Sequence, residues 1–306
     1  MFMDRELDRD VAVDVSDVSK SFGDKTVVDD VSFDVKLGEI LGMVGPNGAG
    51  KTTTLRMMMD IIKPDVGRIA IFGDDISPRA KDRIGYLPEE RGLYQKITVA
   101  KSMKYLASLK GMGRREAETR TDELLERVGM LEHRNKKTQE LSKGMAQTIQ
   151  FVSTILHDPE LVVLDEPFSG LDPINTELLK ELIGELKDQG KCVILSTHMM
   201  NQVEELCDRV LMIHKGRVVL YGRLDEVEAG YQGNSVIVQC DRLPEGIPGV
   251  TKVIDRGRYL ELLIEESASA QDVLGVLVHG GVRVDRFEVA TPSLNEIFIQ
   301  VAKTTE

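Results

Sequence analysis

The octapeptide GPNGAGKT at positions 45–52 constrains this chain more than any other stretch. It fits the pattern G-x-x-x-x-G-K-[ST] in full, which a chain of this length matches by chance with a probability on the order of 1%. Its setting agrees. ILGMV (40–44) is short and apolar enough to be a fully buried strand, and Thr53 to Ile62 follow with helical character until Lys63-Pro64 stops them. In such a strand–loop–helix, Gly45, Gly48 and Gly50 let the backbone wrap a phosphate without Cβ clashes. The loop, with Pro46, Asn47 and Ala49 among its glycines and Thr53 at the helix start beyond it, turns backbone N–H groups toward a β-phosphate. Lys51 then bridges β and γ oxygens, and Thr52 can ligate Mg2+. The segment reads as a nucleotide site.

LVVLDEP (161–167) supplies a second half. An apolar strand delivers Asp165 to its carboxyl end, where it can hold Mg2+ through the water shell. Glu166 follows directly and can orient the water that attacks a γ-phosphate. His198 ends the CVILSTH strand. The carboxyl ends of parallel strands gather on one edge, so this histidine can reach the γ-phosphate, whereas His133, His157, His214 and His279 read as structural.

The rest of the chain supports an α/β body. Val31, Phe33 and Val35 alternate with polar residues as in a half-buried strand, and Ile69, Ile71 and Phe72 suggest another. From about Ile97 to Leu156 the chain is charged and rich in helix formers, which predicts a helical insert. LVVLDEP, a helix around Thr176–Lys187, the strand CVILS, a helix from about Met199 to Cys207 and a hairpin turning at Lys215-Gly216 then complete a mostly parallel sheet. After about Asp225 the pattern restarts. SVIVQC, YLELLI and VRVDRFEV read as strands, 269–280 as a helix, and Pro292–Ala302 as a last helix capped by Ser293 or Thr291.

Composition narrows the partners. A net charge of −12 argues against a nucleic-acid binder that relies on a basic surface. Cys192, Cys207 and Cys240 have neither metal-ligand nor disulfide spacing and read as buried thiols. The N-terminus is acidic, without the apolar run of a signal peptide, and the longest apolar stretches are far too short to span a bilayer. Any work at a membrane therefore needs another chain.

LSKGMAQTIQ (141–150) opens with a good N-cap, Ser142, and the side-chain-free Gly144, so it is a helix start able to take an anion. With it the motifs resemble those of the ATP-binding subunit of ABC transporters over roughly residues 11 to 225. GPNGAGKT is similar to Walker A, LVVLDEP to Walker B, LSKGM to the signature, SGLDP (169–173) with Asp172 to the D-loop, and STH to the switch-histidine loop. Phe22 matches the aromatic that stacks on adenine. Two departures stand out: Glu89, in GYLPEERG, occupies the Q-loop position of a glutamine, and the signature reads LSKGM rather than LSGGQ. Glu89 still offers an oxygen to Mg2+ or water.

The resemblance implies a P-loop NTPase core with an antiparallel β subdomain and a helical insert at about 90–158, within an ATP-binding domain 1–225. A small α/β accessory domain, 226–306, follows. It further implies an ATPase using ATP and Mg2+ that closes as a homodimer. Each site would use the P-loop, Asp165, Glu166, Glu89 and His198 of one subunit and Ser142 and Gly144 of the other. Polytopic permease subunits would hold it on the inner face of the cell membrane, docking on the stretch after Glu89 through Thr98. YLPEERGLY, LSKGM and PSLNEIFIQ (292–300) are similar to ABC-2-type exporter ATPases, the group with the sodium-extrusion ATPases. The rival is a soluble ABC ATPase of DNA repair or translation. The interval of about 110 residues between the Walker motifs, free of coiled coil or cysteine cluster, and the single cassette disfavour it. A third reading is a regulatory ATPase whose C-terminal domain senses a ligand.

Overall fold

Alternation builds the first sheet. In the computed structural model, which describes residues 10–90, 92–231, 235–244, 246–265, 267–290 and 292–304, β1 (Val11–Phe22) pairs antiparallel with β2 (Lys25–Lys36). Val13, Val15 and Val18 stand opposite Val35, Phe33 and Val31, all buried. Every residue of β3 (Ile40–Val44) is buried, as its apolar run requires. Helix α1 (Lys51–Met58) ends earlier than the expected stop at Lys63-Pro64. Asp60 takes a left-handed φ of 57° and the Ile61 N–H turns back to the Arg56 carbonyl, closing the helix before the proline acts.

Then come β4 (Val66–Ile71), the two-residue β5 (Asp74–Asp75), α2 (Pro78–Asp82) and β6 (Ile84–Leu87). Between β6 and the next strand the regular elements of the described residues are helical: α3 (Val99–Leu109), α4 (Arg114–Arg127), two 3₁₀ turns and α5 (Lys143–Ile155). β7 (Leu161–Asp165), α6 (Pro173–Asp188), β8 (Cys192–Thr197), α7 (Met200–Leu206), β9 (Arg209–His214) and β10 (Arg217–Arg223) follow. The antiparallel sheet runs β2-β1-β4-β5. The main sheet runs β10-β9-β3-β8-β7-β6 and is parallel apart from the β9–β10 hairpin.

One apolar cluster joins Val13, Val15, Phe33 and Val35 of the first sheet to Leu41, Met43, Leu211 and Ile213 of the second. α7 packs so closely on β3 that a Cβ on Gly42 would lie 2.5 Å from Val203 Cγ1. Cys192 and Cys207 are buried, with thiol pKa values pushed up by burial, and Cys240 is half-buried; all are free. No helix among the described residues is long and apolar enough to cross a membrane.

The described chain divides into two compact units, the second spanning Asp225–Lys303. After α8 (Leu224–Gly230), the second unit has β11 (Ser235–Cys240), β12 (Val250–Asp255), β13 (Leu260–Ile264), α9 (Ala270–His279), β14 (Val284–Val289) and α10 (Leu294–Thr304). Its antiparallel sheet, β12-β13-β11-β14, and α9 enclose Val236, Val238, Leu262, Val273 and Leu277. Ser269 and Asp272 cap α9 reciprocally at 3.1 and 3.2 Å. Ser293 accepts the Glu296 N–H at 3.3 Å; Thr291, the other expected cap, lies outside the described residues.

Candidate nucleotide site

Parallel β3, β6, β7 and β8 bring their carboxyl ends to one edge of the main sheet, the edge where ligands bind such sheets. β3 leads into the glycine loop, β6 into Glu89, β7 ends on Asp165 with Glu166 next, and β8 is followed by His198.

The loop is fixed by close backbone approach. Gly45 has φ 154°, and a Cβ there would stand 2.1 Å from the Ile213 carbonyl oxygen. Gly50, at φ 112°, would put one 2.8 Å from the Val27 carbonyl oxygen. Gly48, at φ 79°, faces open space. The hairpin turn at Lys215-Gly216 braces the loop from behind, with the Gly216 N–H donating to the Ala49 carbonyl at 2.9 Å. α1 begins without a side-chain cap or an acidic residue in its first turn, so its positive end is left to an anion.

Residues 47–53, Val27, Glu89 and Glu166 line a pocket of about 360 Å³. Lys51 is buried, and its Nζ donates to the carbonyls of Gly45 at 2.7 Å and Pro46 at 3.3 Å. Burial lowers its pKa, and the carboxylates of Glu166, Asp165 and Glu89 oppose that shift.

Asp165 is 1% exposed, and neither of its carboxylate oxygens has a hydrogen-bond partner among the described residues. Burial raises its pKa; the nearby hydroxyls of Thr52 and Ser196 pull the other way without closing bonds of ordinary geometry. Keeping this carboxyl ionised at neutral pH thus costs the folded state stability, and the cost fades as acid protonates it. Asp165→Asn is expected to raise the thermal midpoint of the nucleotide-free chain at neutral pH. The gain shrinks in acid, and calorimetry across a pH series checks it.

Glu166 sits at φ 51°, a left-handed conformation unusual for a side-chain-bearing residue, with its N–H bonded to the Ser196 carbonyl at 2.9 Å. Its carboxylate is gripped twice: His198 Nδ1 lies 2.8 Å from Oε1, and Thr197 Oγ1 donates to Oε2 at 3.3 Å. The acceptor requires the His198 proton on Nδ1.

Not every candidate residue meets at this pocket. Ser142 is exposed and caps α5, accepting the Met145 N–H at 3.2 Å; neither it nor Gly144 lines the pocket. Asp172 caps α6, accepting the Asn175 N–H at 3.1 Å, and these bonds hold its carboxyl below the usual range. Phe22 is 51% exposed at the end of β1, with Lys20 Nζ 5.7 Å from its ring centre, and is likewise off the pocket lining, where Val27 stands instead. Val27 escaped the sequence reading, which gave Gly216 only a place in a hairpin turn and Thr197 only a place in STH.

Among the described residues no three His, Cys, Asp or Glu side chains are grouped to hold a metal ion by themselves. A cation such as Mg2+ keeps several waters and takes one or two carboxylates plus substrate phosphates. The unpartnered Asp165 and the adjacent Thr52 hydroxyl offer it oxygen donors.

A family profile described as ABC transporter matches residues 28–169, and one described as ATP-binding protein DrrA1-3-like, C-terminal domain, matches 222–302. An uncharacterized ABC transporter ATP-binding protein of Bacillus subtilis (strain 168), YhaQ, is 40% identical, over 94% of this chain and 97% of its own. The Nod factor export ATP-binding protein I of Rhizobium etli is 39% identical, over 69% of this chain and 68% of its own. A solved structure of an ATP binding subunit of an ABC transporter superposes with a TM-score of 0.68 at 32% identity, over 72% of this chain and 93% of that one.

Proposed function

The chain belongs to the ABC transporter ATP-binding proteins, a family that hydrolyses ATP, and from that premise we propose that two copies close on ATP to drive export through a separate permease. The observation that carries the pairing is the division of the site. Lys51, Glu89 and Glu166 line one pocket, while Ser142 and Gly144, at an anion-ready helix start, stand outside it. A second copy would bring its own helix start to the γ-phosphate and receive this one in return. It would also cover Ile174, 82% exposed beside Asp172, and Met199, 41% exposed beside His198. The likeness of nearly the whole chain to transporter subunits favours this over a soluble DNA-repair or translation ATPase.

Within the site, Glu166 accepts a hydrogen bond from the attacking water, with Thr197 and His198 fixing its carboxylate. Lys51 offsets negative charge on the phosphates, and Thr52, Asp165 and Glu89 would hold Mg2+. Bound Mg2+ would supply positive charge against the phosphate oxygens. Phe22 would stack on adenine and Asp172 would lie at the contact between copies. The likeness to the Nod factor export protein supports export as the direction, and for the DrrA-like C-terminal segment we infer dimer contact or regulation. The permease would hold the chain on the inner face of the membrane.

Affinity purification from a detergent extract tests this reading. A polytopic membrane protein is expected to copurify in near-equal amount; RNA or DNA in its place overturns the assignment to export.

A further inference from the structure

Helix α5, capped by Ser142, carries five buried polar residues whose bonds are defined, and they divide into two kinds. The hydroxyls of Thr148, Ser153 and Thr154 turn back on the helix, to the carbonyls of Gly144, Ile149 and Gln150. Gln147 and Gln150 reach away from it. They are three residues apart, on one face of the helix, and 5% and 6% exposed. Gln147 Nε2 donates to the Pro167 carbonyl at 2.9 Å, one residue past Glu166. Gln150 Nε2 is shared between the carbonyls of Glu90 at 3.3 Å and Pro88 at 3.5 Å, the two residues that flank Glu89.

Close packing permits this reach. Gly85 of β6 offers no side chain to α5; a Cβ there would lie 2.5 Å from the Thr154 carbonyl oxygen. The arrangement is not what packing alone selects. Gln150 Oε1 is buried without a hydrogen-bond partner among the described residues, a burden that an apolar side chain of the same length would avoid. The residue keeps a costly oxygen in order to place its amide between two carbonyls.

We propose that Gln150 is a positioning residue that latches the Glu89 loop to α5, so that Glu89 is set in the nucleotide pocket by the helix whose start meets the second nucleotide. The latch rests on the roles given above to Glu89 and Ser142, and extends them. Nothing in α5 touches the P-loop pocket directly. Displacement of its Ser142 end therefore reaches the pocket through the loops its glutamines hold, with Gln147 as the companion contact beside Glu166.

A double-mutant cycle in the full chain tests the latch: Gln150→Met, which keeps the length and removes the donor, Glu89→Ala, and the two together. Turnover and equilibrium ATP affinity are measured for each. Gln150→Met is expected to lower kcat about 5- to 20-fold with ATP Kd changed less than about twofold, as a small misplacement does. In the Glu89→Ala background it should add nothing. A double variant whose loss is the product of the single losses overturns the latch and leaves Gln150 a packing residue. Wild-type turnover in Glu89→Ala alone overturns the role of Glu89, and the latch with it. If Gln150→Met does not fold, Gln150→Asn, whose amide stops short of both carbonyls, carries the same cycle.

Discussion

Glu166→Gln is expected to cut ATP turnover about 10²- to 10⁴-fold while leaving ATP affinity within about twofold. The substitution is isosteric and keeps an oxygen that His198 Nδ1, now 2.8 Å from the carboxylate, can still donate to. The left-handed backbone at Glu166 and its N–H bond to the Ser196 carbonyl are untouched. What disappears is the negative charge that polarises the attacking water. That charge also lies near Lys51 and in a pocket meant for polyphosphate, so its loss does not weaken binding of an anion. With hydrolysis stopped, the ATP-bound pair should persist, and light scattering should report about twice the 34.0 kDa of one chain. A variant that hydrolyses at the wild-type rate, or that stays single when saturated with ATP, removes the water-orienting role of Glu166 or the closing pair respectively.

What could be read from the sequence was what is local. ILGMV reads as a buried strand because burial on both faces leaves no room for alternation, and the glycines after it announce a backbone that no Cβ could share. The antiparallel sheet was harder. β1 carries an irregular register against β2, with shifts on both sides of Val18, which blurs the period of two. β12 is hard to read in the sequence because it is an edge strand, largely exposed, with Lys252 between the half-buried Val250 and Ile254. The supports of the site were hidden for a different reason. Thr197, Gln147 and Gln150 act on residues 20 to 62 positions away, so their purpose exists only after folding. Asp172 shows the converse, since the cap its carboxylate gives to the start of α6 is made to Asn175, three residues on.

The glycine loop allows the sharpest separation of stability from binding, because two of its glycines are needed for opposite reasons. Gly45→Ala puts a methyl 2.1 Å from the Ile213 carbonyl oxygen at a φ of 154°. Both faults are backbone faults, and no rotamer relieves them. β9, which carries that carbonyl, is paired on both sides, with β3 and with β10, and cannot retreat without breaking a ladder. The expected cost is at least about 3 kcal/mol, or a fall of roughly 10 °C in Tm. Gly48→Ala meets nothing within 4 Å and suffers only its φ of 79°, worth about 1–2 kcal/mol. Its methyl, however, is added to the wall of the nucleotide pocket. Gly48→Ala should therefore lose less stability than Gly45→Ala while binding ATP about tenfold or more weakly, the cost of about 1.4 kcal/mol of lost contact. Thermal unfolding and equilibrium ATP binding, measured side by side, decide it. If Gly48→Ala is the less stable of the two, or Gly45→Ala unfolds at the wild-type temperature, the close approach of β9 to Gly45 does not constrain the loop as described.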